Sequence, residues 1–147
     1  MTASRPPRLI GQYDRPYWDY AARGELRVQA CKNCGHLRYP PGPCCPRCLS
    51  EDTDWRKLSG RGRVVTWTIF RRAYFPEIPV PYTVVSVETE EGPLLIGNLV
   101  RAGDIQPAVG LAVTAVFEEF LFGAEPGRLC QWMPSEKATT DNPGENT

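Results

Sequence analysis

Residues 31 to 48 read CKNCGHLRYPPGPCCPRC and hold five of the chain's six cysteines. Thiolates are soft ligands and nucleophiles, so the stretch offers a disulfide framework, a redox pair or a metal site. The N-terminal sequence MTASRPPRLIGQYDRP lacks the apolar stretch of a secretory signal. That points to a reducing, cytoplasmic setting and away from disulfides. The spacing argues for metal. Cys31 and Cys34 form one C-x-x-C pair, Cys45 and Cys48 a second, with residues 35 to 44 between them. Two such knuckles facing each other supply the tetrahedral four-sulfur shell that zinc prefers. Gly35 follows the first pair, where a knuckle calls for a positive φ. Pro46 lies inside the second and pre-sets its turn.

The expectation is one structural zinc ion on Cys31, Cys34, Cys45 and Cys48. Four thiolates leave no open position for water, so this zinc is not catalytic. A redox pair would need a strand-to-helix turn in a βαβ unit, and no such pattern follows. Ligation through Cys44 would make the second pair C-x-x-x-C, which fits a knuckle less well, so Cys44 reads as a bystander. Cys130 reads as a small buried hydrophobe. His36, the single histidine, reads as an exposed residue of a ribbon loop.

The elements that position these ligands are legible on either side. In DRPYWDYAARG, Asp14 suits an N-cap, Pro16 the first turn and Gly24 the end of a helix. Tyr17, Trp18 and Ala21 form its apolar stripe. Tyr17 and Trp18 have two readings, packing on the ribbon or contact with a partner. ELRVQAC then alternates as a short strand into the first knuckle. Beyond the ribbon, strands are predicted over 60–70, 82–90, 94–100, 111–120 and 127–134. The EGP turn (91–93) joins the second to the third, and 101–110 is a loop with one helical turn.

Five short strands with period-two patterning suit an OB-fold barrel. The fold class is mainly β: an N-terminal helix, a rubredoxin-like four-cysteine zinc ribbon, then a five-stranded OB-fold. The division is a 1–13 arm, a 14–55 helix with ribbon, a 56–133 barrel and a disordered 134–147 tail.

Charge weighs against one class of function. The net charge is zero, yet the ribbon half is basic and the barrel half acidic. An acidic barrel counts against a nucleic-acid-binding OB-fold, which normally carries a basic groove. No apolar run approaches the roughly 20 residues that span a bilayer. Glu90-Glu91 and Glu118-Glu119 read as solvated charges at strand ends, and no serine or cysteine has a histidine partner in sequence context. The stretch FRRAYFPEIPVPY (70–82) stands out: arginines, aromatics and closely spaced prolines make a stiff loop between the first two strands. Such a loop at a barrel mouth either caps the barrel or binds something.

The motifs YW (17–18), ACKNCG (30–35), YPP (39–41), CPRC (45–48), GRGRVVTWT (60–68), PYTVVSVE (81–88) and the EGP turn with GNLV (91–100) occur in this order. The chain thereby resembles, over about residues 12 to 133, a bacterial and archaeal family long labelled only as a domain of unknown function. These are the zinc-ribbon/OB-fold acyl-CoA-associated proteins. The resemblance implies a non-catalytic partner that stabilises a thiolase-fold enzyme and helps house its CoA thioester. In one branch that enzyme is a retro-aldolase acting on the CoA-linked side chain of steroids in sterol catabolism. In another, the small protein bridges a thiolase and a hydroxymethylglutaryl-CoA synthase. The Arg-rich, Lys-poor composition resembles the first branch. The dimeric state of thiolase-fold enzymes implies a two-plus-two heterotetramer. Carried onto this sequence, Arg71, Arg72, Tyr74 and Phe75 are expected at the partner or CoA face: arginines for phosphates, aromatics as anchors. Tyr17 and Trp18 join them. A nucleic-acid-binding ribbon module is the reading from a different class.

Overall fold

Period-two alternation builds most of the molecule, and one short helix ties its two halves together. The computed structural model describes residues 2–135; from 136 onward the expected disordered tail lies outside the described residues. In chain order the elements are β1 (Ala3–Arg5), α1 (Arg15–Ala22), β2 (Arg27–Cys31), β3 (Leu37–Arg38), β4 (Thr53–Lys57), β5 (Arg61–Phe70), β6 (Tyr82–Thr89), β7 (Leu94–Asn98), β8 (Ala112–Phe122) and β9 (Glu125–Pro134). The fold is thus mainly β with one helix, as expected.

The five expected barrel strands are β5 to β9. β5 pairs antiparallel with β6 and with β8, β6 with β7, and β8 with β9. A parallel bridge between Leu99 and Trp132 joins the third strand to the fifth and closes the barrel. Val100 N–H donates to the Trp132 carbonyl there at 2.8 Å. This connectivity is that of an OB-fold. A register shift between Val64 and Thr66 lets β5 bend and serve two neighbours.

β3, β2 and β4 form a separate three-stranded sheet that carries the ribbon. β4 runs across residues 55–56, where sequence patterning divides ribbon from barrel, and its partner is β2 alone. β1 adds to β8 in parallel through Ala3–Phe120, Ser4–Leu121 and Arg5–Phe122. Patterning misses β1, β3 and β4.

The helix starts and ends largely as its sequence directs. Pro16 sits in its first turn. Asp14 occupies the N-cap position without a side-chain cap bond; its carboxylate accepts instead from Gly11 N–H at 3.3 Å. At the other end Gly24 has φ 75°. Gly24 N–H bonds the Ala21 carbonyl and Glu25 N–H the Tyr20 carbonyl, a Schellman closure. The loop 101–110 holds no helical turn, only two tight turns, closed by Ile105 N–H on the Ala102 carbonyl at 2.9 Å and by Leu111 N–H on the Ala108 carbonyl at 3.1 Å.

One core runs through everything. Leu26, Val28 and Leu58 from the ribbon side meet Val64, Val85, Val87, Leu95, Val113 and Trp132 of the barrel, with Tyr17 of α1 among them. Each fully buried side chain of this size contributes roughly 1.5–3 kcal/mol, so ribbon and barrel stabilise one another.

Candidate metal centre and partner face

Local backbone geometry aims the four cysteines inward. β2 ends on Cys31, whose N–H donates to the His36 carbonyl at 2.9 Å, while Gly35 N–H donates back to the Cys31 carbonyl at 2.9 Å. Gly35 takes φ 77° to close this turn, as its position predicted. The second knuckle repeats the plan. Cys45 N–H bonds the Ser50 carbonyl and Leu49 N–H the Cys45 carbonyl, both at 2.9 Å. Here Leu49, with φ 63°, fills the left-handed position that Gly35 fills in the first.

The four sulfurs of Cys31, Cys34, Cys45 and Cys48 lie within 4.8 Å of one another. The Cys31–Cys48 and Cys34–Cys45 separations are 3.5 and 3.6 Å. A regular tetrahedron with zinc–sulfur bonds of about 2.3 Å has sulfur edges of about 3.8 Å, so the donor set fits one zinc ion. Hydrogen bonds tune the thiols. Cys31 is lowered from the ordinary range, by the N–H of Cys34 first and that of Asn33 next. Cys48 is lowered by the Asn33 side chain and the N–H of Ser50. Cys44 stands outside the cluster. Cys130 is buried in the barrel, and burial pushes its thiol up to about 12. His36 is half-buried rather than exposed and is not part of the sulfur cluster.

The expected partner residues separate into two groups. Of the two readings of Tyr17, the structure shows packing within the chain itself. Tyr17 is only 9% exposed, edge-on to Trp18 and tilted against Tyr39 at 5.6 Å. Burial raises its hydroxyl well above the usual tyrosine value. The helical stripe that marked it belongs to the chain's own core. Trp18 packs on the core's margin. Its ring meets Phe122 at 5.8 Å, and the Arg8 guanidinium lies over both rings at 4.6 and 4.2 Å.

Arg71, Arg72, Tyr74 and Phe75 are all solvent-facing. Tyr74 is 63% and Phe75 49% exposed. The loop that carries them is nonetheless shaped. Phe70 and Tyr82, at its two ends, stack flat at 5.0 Å. Ile78 N–H bonds the Phe75 carbonyl at 3.1 Å. Arg5 reaches the Glu77 carbonyl at 3.5 Å, and the Arg72 guanidinium lies 5.6 Å from the Tyr74 ring.

Sequence reasoning missed Trp67 and Ile69, each 39% exposed at the loop end of β5. The available signal was the run VVTWTIF, whose apolar residues fall on both strand parities. Three of the four carboxylates in the acidic pairs are engaged in ion pairs, and Glu91 accepts from Ser59 N–H at 2.7 Å instead. Glu90 takes Arg61 bidentately at 2.9 Å, Glu119 meets Arg128 at 3.1 Å and Glu118 meets Arg101 at 3.8 Å. Among the described residues no helix is long and apolar enough to cross a membrane.

Two family models match in tandem. Residues 18–54 match "ChsH2, rubredoxin-like zinc ribbon domain" and residues 55–118 match "ChsH2, C-terminal OB-fold domain". Among curated proteins, the 3-oxo-4,17-pregnadiene-20-carboxyl-CoA hydratase alpha subunit of Mycobacterium tuberculosis is 32% identical over 82% of this chain. The chain spans 37% of that subunit's length, and 35% of a matching alpha subunit from Thermomonospora curvata. A "DUF35 domain-containing scaffold protein" of Methanocaldococcus jannaschii is 32% identical over 66% of this chain and 70% of its own. Among solved structures, a chain of the Ltp2-ChsH2(DUF35) aldolase superposes with a TM-score of 0.78 at 32% identity, covering 86% of this chain and 98% of that one.

Proposed function

Because the chain belongs to the ChsH2 zinc-ribbon/OB-fold (DUF35) family, we propose that it is the non-catalytic partner of a thiolase-fold acyl-CoA enzyme. That enzyme is a retro-aldolase cleaving a CoA-linked steroid side chain. The chain stabilises it and helps shape its CoA-thioester site, in a two-plus-two assembly. A single observation carries this reading: the likeness to the ChsH2 chain of an aldolase runs through ribbon and barrel alike, over 98% of that chain. The steroid nucleus is suggested by the pregnadiene-carboxyl-CoA named in the mycobacterial relative.

The residues fit the role. The metal is one structural zinc, whose four thiolates hold the ribbon and leave no site for substrate. The exposed Tyr74 and Phe75 suit interface anchors, and Arg71 and Arg72 beside them suit phosphate or carboxylate groups. The archaeal relative's name, a scaffold protein, supports a second reading: a bridge between a thiolase and a hydroxymethylglutaryl-CoA synthase.

Co-expression with a thiolase-like aldolase subunit, followed by size-exclusion chromatography and metal analysis, tests both. One peak with both chains, one zinc per small chain and CoA-thioester cleavage absent from either chain alone supports the retro-aldolase reading. Assembly only when a thiolase and a synthase are both present supports the bridge. A small chain that stays alone with either enzyme refutes both.

A further inference from the structure

On that reading, we propose that the free edge of β5 from Thr66 to Phe70 takes an extended segment of the partner enzyme as an added β-strand. The hydrogen-bond parity of the barrel shows the edge. Leu99 N–H donates to the Thr83 carbonyl at 2.9 Å, so the odd positions of β6 serve β7. Tyr82, Val84 and Ser86 therefore serve β5, where they oppose Phe70, Thr68 and Thr66. In an antiparallel ladder the groups of alternate residues point to opposite sides. Trp67 and Ile69 thus aim their N–H and C=O away from β6.

On that far side the cover stops early. The β5–β8 ladder ends at Arg63 opposite Ala112. Val64 is still served, donating to the Leu111 carbonyl at 2.9 Å and accepting from Gly110 N–H at 2.8 Å. Beyond it, no hydrogen bond from the described residues reaches this side of Trp67 or Ile69. Thr66, Trp67, Thr68 and Ile69 are all exposed, on both faces of the strand.

Isolated proteins protect such edges with proline, lysine or bulges, because an open edge recruits other strands. The segment TWTIF carries neither proline nor lysine, the register shift of β5 lies before it, between Val64 and Thr66, and it is composed of strong strand formers. Its charges begin at Arg71 and Arg72, which form no ion pair among the described residues. A second copy of this chain is a poor occupant. Antiparallel self-pairing about Thr68 would bring Arg72 of each copy toward Arg63 of the other, a like-charge approach. The fitting occupant is an extended segment of the partner with apolar side chains at alternate positions and a carboxylate at the Arg71–Arg72 end. Main-chain bonds would give affinity and Trp67, Ile69, Tyr74 and Phe75 the apolar contact.

Ile69→Pro isolates the edge. The Ile69 N–H makes no bond to β6, so proline there spares the internal ladder and removes one outward donor. Ile69→Ala keeps the donor and trims the side chain. With the complex assembled from the full chain and its enzyme, Ile69→Pro should weaken association at least tenfold, with zinc content and melting retained. Ile69→Ala should weaken it less. Amide exchange at Trp67 and Ile69 in the wild-type chain should slow on assembly, a readout that does not depend on the variant folding. Undiminished binding by Ile69→Pro, or unchanged exchange at both amides, overturns the inference while leaving the accessory role standing. A wild-type chain that never assembles with the enzyme overturns both. A self-dimer of the wild type that Ile69→Pro disperses assigns the edge to a second copy and also overturns it.

Discussion

Gly62 and Glu88 approach so closely across β5 and β6 that a β-carbon at Gly62 would stand 2.6 Å from the Glu88 carbonyl oxygen. It would also stand 2.5 Å from a Val87 methyl. Val87 is fully buried and the carbonyl belongs to ladder backbone, so neither can yield cheaply. Gly62→Ala should therefore cost about 1–3 kcal/mol, the usual range for overpacking. The check is a urea transition: the midpoint should fall with the slope unchanged. An unaltered midpoint would mean that β5 and β6 lie farther apart than described.

The sulfur cluster makes a selective prediction. Cys31→Ser and Cys48→Ser should each abolish zinc binding and unfold the ribbon, because the free energy of a structural zinc site is folding free energy. Cys44→Ser, outside the cluster, should keep one zinc per chain and an unchanged melt. Metal analysis of the purified chains reads the result directly. Zinc retained in both ligand variants, or lost in the Cys44 variant, would reassign the ligands.

Burial of Cys130 gives stability a pH dependence on the alkaline side. Burial, which disfavours the thiolate, pushes its folded thiol up to about 12 from the ordinary 9.0. Above pH 9 the unfolded chain holds fewer protons at this position than the folded one, so unfolding becomes easier as pH rises. The contribution is complete below pH 9 and is lost between there and about 12, by up to about 1.4 kcal/mol per pH unit. Burial raises Tyr17 in the same direction. Urea midpoints should fall from pH 8 to pH 10 in the wild type and fall less steeply in Cys130→Ala. Parallel profiles would show that this thiol is not held neutral by the fold.

What the sequence revealed follows the range over which each feature is encoded. The ligands Cys31, Cys34, Cys45 and Cys48 are spaced locally, and their C-x-x-C turns carry their own glycine and proline. β6 and β7 alternate because one face of each meets the core, as the first half of β5 does up to Val64. β4 escaped notice because TDWRK alternates little: it is an edge strand with no fully buried residue. β1 is encoded by distant pairing with Phe120 to Phe122, invisible in three residues. The stripe at Tyr17 showed that a helical face is covered but not by what. The open edge at Trp67 and Ile69 depends on where β8 begins, at Ala112, and so on long-range register.

The 71–81 loop yields the sharpest test of the partner face. Tyr74 and Phe75 point outward while the loop's frame is set elsewhere, by the Phe70–Tyr82 stack, the Ile78–Phe75 turn and the Arg5 contact to Glu77. Removing the two exposed rings leaves those ties in place, so the fold has little to lose; surface changes usually stay within about 0.5 kcal/mol. Aromatic anchors at interfaces cost about 2 kcal/mol or more each when truncated. The double variant Tyr74→Ala with Phe75→Ala should therefore lower affinity for the enzyme by about three orders of magnitude. Zinc content and thermal midpoint should be unchanged. Titration of the enzyme with each small chain, followed by calorimetry, provides the measurement. Equal affinity would move the interface away from this loop. A lowered melting point would mean the rings pack on the chain's own barrel, and the loop would be a cap.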